Sequence, residues 1–222
     1  EAAAGASIHD MVLAKEPGLE KLLFYDWHNR MSLVDHFLHP DTKLEDFASA
    51  RYGEQGDFIS AAYRLVEAPH LAKGRYRFAL ERSGTVWDKS VAVPVRVRKT
   101  VLLDERGGWE AQYELENRGR ATASLWFGVE VALAFDSPEI MGTQLLSEEG
   151  VAMKKFRDAH RDISLKLHWK QAVDLWSFPL YTISLSEEGF EKTYQGSILL
   201  AHRRLELKPG ETAALSISSE IG

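Results

Sequence analysis

At 222 residues with a net charge of −6, the chain is long enough to bury a sizeable core, and it gives no electrostatic reason to expect nucleic acid or an anionic membrane as partner. The absence of cysteine excludes a disulfide framework and thiolate metal sites, and fits a reducing, cytoplasmic compartment. No apolar run approaches the roughly 20 residues that a bilayer-spanning helix needs.

The opening residues, EAAAGA, have neither an initiator Met nor the basic and apolar regions of a secretory signal, so the sequence is expected to be a piece of a longer polypeptide. Residues 15–28 then read as a helix, with Pro17 in its first turn and Leu19, Leu22, Leu23 and Trp27 at three- and four-residue spacing. Met31 to Leu38 loses that period and Pro40 ends it, which predicts a strand. Thr42 and Glu45 have the spacing of a capping box, which predicts a short helix to about Ser49. Tyr52 to Asp57 is a loop.

From Phe58 onward the chain reads as strands. Ile59, Ala61, Tyr63 and Leu65 share a parity that Ala68-Pro69-His70 ends, and Tyr76, Phe78 and Leu80 form a second strand closed by Ser83-Gly84. Val91, Val93, Val95 and Val97 make a third, in which Pro94 points to an edge or a bulge. Trp109, Ala111, Tyr113 and Leu115 alternate with polar residues up to the turn at Asn117 to Arg120. In Ala121 to Phe135, Leu125, Phe127, Val129, Val131, Leu133 and Phe135 share one face, while Trp126, Gly128 and Glu130 lie on the other. Gly142 to Arg157 has no strong period and is expected to be a loop. Ile163, Leu165, Leu167 and Trp169 alternate again, and an aromatic link through Trp176 leads to a hairpin over Phe178 to Ile198, turning at Ser186 to Gly189. Leu205 and Leu207, the turn Lys208 to Glu211, and Ala213, Leu215 and Ile217 complete the pattern. Many short strands with little helix between them predict one all-β antiparallel sandwich domain over residues 1–222, with a short N-terminal helix.

Three blocks also carry a family resemblance. The run FPLYTISLSEEGFEKTYQGS, the segment YDWHNRMSLVDHFL from Tyr25 to Leu38, and Trp126-Phe127-Gly128-Val129-Glu130 resemble the C-terminal β-sandwich domain of family 57 glycoside hydrolases, the α-amylase and 4-α-glucanotransferase group. Their order along the chain is the family's. The resemblance implies a galactose-mutarotase-like supersandwich, excised from the C-terminal part of a larger glycoside hydrolase. It also implies a partner, the N-terminal catalytic barrel of the same polypeptide, which holds the family's glutamate nucleophile and aspartate acid/base; that pair falls on no residue of this chain. The implied role is non-catalytic, completing the enzyme and contacting α-glucan or maltooligosaccharide.

The residues themselves carry no nucleophile motif and no glycine-rich phosphate loop, so no catalytic residue and no cofactor are expected. Asp26, His28, Asp35, His36, His39 and Asp41 include metal-capable side chains at close spacing. On a strand, however, His36 and His39 would face opposite sides, and hydrogen bonding at a chain corner is the favoured reading, with no metal. Trp126 with Glu130 suits a sugar, an aromatic platform beside a carboxylate. The alternative is that Trp126 packs under another layer and Glu130 pairs with an arginine such as Arg96. Trp176, Tyr181 and Tyr194 join them as candidate carbohydrate contacts. Two rivals stand against the family reading. One is a free-standing mutarotase-like epimerase using Glu130 with His168 or His202 as acid and base, which would need these side chains to converge in one pocket. The other is a ligand-free structural module.

Overall fold

The computed structural model describes Leu19 and residues 23–89, 91–186 and 189–222. The strands are β1 (Val34–Phe37), β2 (Arg64–Ala72), β3 (Arg75–Asp88), β4 (Val91–Leu103), β5 (Trp109–Asn117), β6 (Ala123–Leu133), β7 (Leu146–Asp158), β8 (Ile163–Ser186), β9 (Gly189–Leu207) and β10 (Thr212–Ile221). A single-turn helix α1 (Leu44–Ala48) follows β1. The strands hydrogen-bond in the order β1-β6-β9-β8-β10-β5-β4-β3-β2, with β7 on β8, and every pairing is antiparallel.

This sheet folds back on itself into a supersandwich. Tyr113 on β5 and Phe127 on β6 stand four steps apart in the strand order, yet their rings lie 5.7 Å apart. The inner faces of β3, β4 and β5 therefore pack on those of β6, β8 and β9, and the alternation of each strand supplies the core: Val93, Val95 and Val97 from one side, Leu125, Phe127, Val129 and Val131 from the other. The opposite parity of β6 puts Trp126, Glu130 and Ala132 on the outer face. There Trp126, Trp176, Phe178, Ile198 and Leu200 form a second apolar layer, which Leu44 and Phe47 of α1 cover.

Several local expectations need correction. Helix α1 is present but begins at Lys43 with no side-chain cap, so Thr42 and Glu45 form no capping box. What fixes the helix is burial of Leu44 and Phe47, three residues apart on one face. Most of the helix expected over residues 15–28 lies outside the described residues; of its described part, Leu19 has 3-10 geometry and residues 23–28 are irregular. β2 starts only at Arg64 and runs past Pro69; it is the last strand in the order, and register shifts on either side of Glu67 accommodate the ring. Pro94 sits just beyond the stretch of β4 that pairs with β5, where its carbonyl accepts the Arg118 N–H. β3 continues through Gly84, where a Cβ would stand 2.2 Å from Asp57 Oδ1 and 2.8 Å from the Phe58 ring. This glycine marks a close approach rather than a strand end. The loop expected over Gly142 to Arg157 contains strand β7, and the aromatic link through Trp176 is part of the unbroken β8. The hairpin pairs as expected, with a bulge between Leu180 and Tyr181; its tip, Glu187-Glu188, lies outside the described residues. No helix among the described residues is long and apolar enough to cross a membrane.

Candidate functional site

β1 lies between the two layers. Asp35 and His36 are neighbours on a strand, so their side chains leave on opposite faces. Asp35 enters the main core, where Lys99 of β4 approaches to 2.8 Å, and the Tyr63 hydroxyl donates to the same carboxylate oxygen. His36 enters the outer layer beside Glu130 of β6.

The polar centre of that layer is Glu130, whose side chain is fully buried. The segment 23–33 folds across β1 and β6 and brings two groups to one oxygen of this carboxylate. His28 Nε2 stands 3.3 Å and Arg30 Nη1 3.0 Å from Glu130 Oε2, and His36 Nε2 is 3.4 Å from the same atom. Arg30 also donates to Asp26 at 2.8 Å and to the Phe47 carbonyl at 2.8 Å, and it lies over the rings of Phe47 and Phe178. On the far side of His36, Nδ1 is 3.2 Å from Glu54 Oε2 and 3.2 Å from the Tyr52 hydroxyl. The other Glu54 oxygen accepts the Phe37 N–H. Burial alone would lower the pKa of His36, but hydrogen bonds to Glu130 and Glu54 outweigh it and raise the pKa to about 9. Burial would raise Glu130, and the bonds to His28 and His36 instead bring it down to about 2. Glu54 is raised by burial, which His36 only partly offsets.

Beside this cluster the aromatic layer continues. Trp126 Nε1 donates to His202 Nδ1 at 3.0 Å, which assigns that nitrogen as the acceptor. Trp176 packs on both, with ring centroids at 5.5 Å from Trp126 and 4.6 Å from His202. Burial first, and the Arg204 charge as well, lower His202 to about 4. Arg204 lies over the Trp126 ring at 4.0 Å. Past Arg204 an open groove of ≈ 670 Å³ runs along β3, β6 and β9, bordered by Trp87, Asp88, Trp126, Arg204 and Glu206. Trp87 presents nearly half its surface to solvent there.

The five candidate sugar contacts thus divide. Trp126 borders the groove. Trp176 is buried behind it, and Glu130 is buried in the charge cluster, paired with Arg30 rather than with Arg96, which instead meets Glu81 and Glu116. Tyr181 and Tyr194 face each other across the β8–β9 hairpin with rings 5.9 Å apart; Lys192 lies over Tyr181, and the Tyr194 hydroxyl meets Ser197 Oγ at 2.9 Å. The convergence that an epimerase would need is not formed: Glu130 meets His28, Arg30 and His36, His202 meets Trp126, and His168 is exposed on β8. Arg30, Glu54, Trp87 and Arg204 shape the site without having stood out as site residues, and His28 joins them from the metal-capable group whose favoured reading is hydrogen bonding at a chain corner. His28 and Arg30 lie in the block YDWHNRMSLVDHFL, which held the signal.

Fold and site together define a galactose-mutarotase-like supersandwich whose outer face is covered by its own chain. The crystal structure of 4-alpha-glucanotransferase from Thermococcus litoralis matches it with a TM-score of 0.76 at 24% identity, over 96% of this chain and 30% of that one. A GalM/aldose epimerase homologue from C. elegans shares the fold with a TM-score of 0.51 at 10% identity, over 88% of this chain and 81% of that one. In sequence, alpha-amylase 1 of Dictyoglomus thermophilum is 31% identical over 222 residues, 95% of this chain and 31% of the relative. Residues 1–217 match the model of the family described as alpha-amylase/4-alpha-glucanotransferase, C-terminal, and the chain belongs to that family. It spans between a quarter and a third of the length of the curated relatives it matches.

Proposed function

We propose that the chain serves an α-glucan-active enzyme as its non-catalytic C-terminal domain, completing and supporting an N-terminal catalytic barrel and holding α-glucan beside it. The observation that carries this reading is the family match over residues 1–217. The site agrees with it: the carboxylate and imidazoles best placed for acid/base work, Glu130, His28 and His36, are committed to one another and to Arg30, away from solvent.

The glucan contact is assigned to the groove. There the exposed face of Trp87 and the edge of Trp126 meet the apolar C–H face of a sugar, while Asp88, Arg204 and Glu206 take its hydroxyls. Tyr181 and Tyr194 supply a second aromatic pair on the hairpin, and Trp176 and Glu130 hold Trp126 and the covering segment in place. Titration calorimetry with maltoheptaose tests the binding. Saturable heat that Trp87→Ala abolishes is expected, and no heat from the unaltered chain overturns it. For the supporting role, the parent enzyme is compared with a version lacking this domain. A lower melting temperature is expected on deletion, and an unchanged one contradicts the role.

A further inference from the structure

We propose that His28, His36 and Glu130 form a binding site for a divalent transition-metal ion of the zinc type, which ties the segment 23–33 to β1 and β6. Four observations carry this, none of which depends on the chain's role toward glucans. The first is spacing. Ligand atoms about 2.0–2.1 Å from a tetrahedral zinc stand roughly 3.3–3.4 Å from one another. Glu130 Oε2 lies 3.3 Å from His28 Nε2 and 3.4 Å from His36 Nε2.

The second is unused donor capacity. Glu130 Oε1 is buried without a hydrogen-bond partner, and His36 Nε2 has only its 3.4 Å contact with Glu130 Oε2, although both side chains are fully shielded from water. The third is what stands behind the ligands. His36 turns its other nitrogen, Nδ1, to Glu54 Oε2 at 3.2 Å, the carboxylate–histidine arrangement that orients a metal-bound imidazole. Arg30, itself held by Asp26, donates to the ligating carboxylate oxygen and fixes its position. The fourth is charge. Asp26, Glu54 and Glu130 bring three negative charges and Arg30 one positive, so two remain for a divalent ion to cancel with both imidazoles neutral. Two imidazoles with one carboxylate suit zinc, nickel or copper; calcium and magnesium prefer all-oxygen sites.

Protons on the two imidazoles would cancel the same charge, so metal and protons compete here and uptake must release protons. The experiment is titration of the chelator-treated chain with Co2+, read by d–d absorption and by proton release in weak buffer. One equivalent of saturable, zinc-displaceable Co2+ in a low-symmetry nitrogen–oxygen site, a raised melting temperature, and at least a tenfold loss of affinity in His28→Gln are expected. His28→Gln tests the site at the edge of the cluster, where the fold is least disturbed, and His202→Asn, outside the cluster, is expected to bind as the unaltered chain does. Absence of saturable binding, or uptake that His28→Gln leaves unchanged, overturns the assignment and leaves a cluster neutralised by protons only.

Discussion

Removing the charge of Glu130 while keeping its shape, as in Glu130→Gln, leaves Arg30 and two imidazoles without their shared anion in a place that water does not reach. Breaking a buried ion pair from one side costs about 3–5 kcal/mol, and a loss of that size is expected in the unfolding free energy measured by urea denaturation. A different residue, His202, sets a pH dependence. Its folded pKa, about 4, lies below the ordinary 6.5, so between these values the unfolded chain binds more protons. Stability is full above about 6.5 and falls as the pH drops from there toward 4. His202→Asn keeps an acceptor for Trp126 Nε1 and cannot titrate in this range; the slope in melts between pH 7 and 4 is expected to flatten. At this scale the sequence was half legible. Alternation along β6 places Trp126 and Glu130 on one face, as the sequence reading has it. What meets Glu130 could not be read locally, because His28 and Arg30 lie 102 and 100 residues away in the chain.

Among the elements, β3 and β7 show what strand patterns conceal. Gly84 reads as a terminator because glycine weakens strands, but its place is set by the ring of Phe58 and the carboxylate of Asp57 pressing on the backbone. Gly84→Ala must displace both, and an overpacking loss of about 1–3 kcal/mol is expected from chemical denaturation. A stability equal to that of the unaltered chain would place the strand's tolerance elsewhere. β7 carries no readable alternation because only Phe156 and Asp158 near its end are buried, while the rest is exposed or half-buried on a strand that pairs on one side with β8. Long-range pairing, rather than local preference, makes it a strand. Helix α1 is the reverse case, where the element was legible and its stated cause was not.

For the whole molecule, the antiparallel all-β class was legible because inward and outward residues alternate on nearly every strand. The closure of one sheet into two layers was not, since it rests on contacts such as Tyr113 with Phe127 and Asp35 with Lys99 that join strands distant in both chain and sheet. The same holds for the outer face: a sequence shows an aromatic strand face but not the segment that covers it. We propose a scaffold whose reactive-looking groups hold its own layers together, with sugar chemistry assigned to another part of a larger enzyme. Incubating these 222 residues alone with maltoheptaose, and separating the products by anion-exchange chromatography, tests that most directly. The account predicts an unchanged oligosaccharide profile over days; time-dependent appearance of shorter or longer maltooligosaccharides would contradict it.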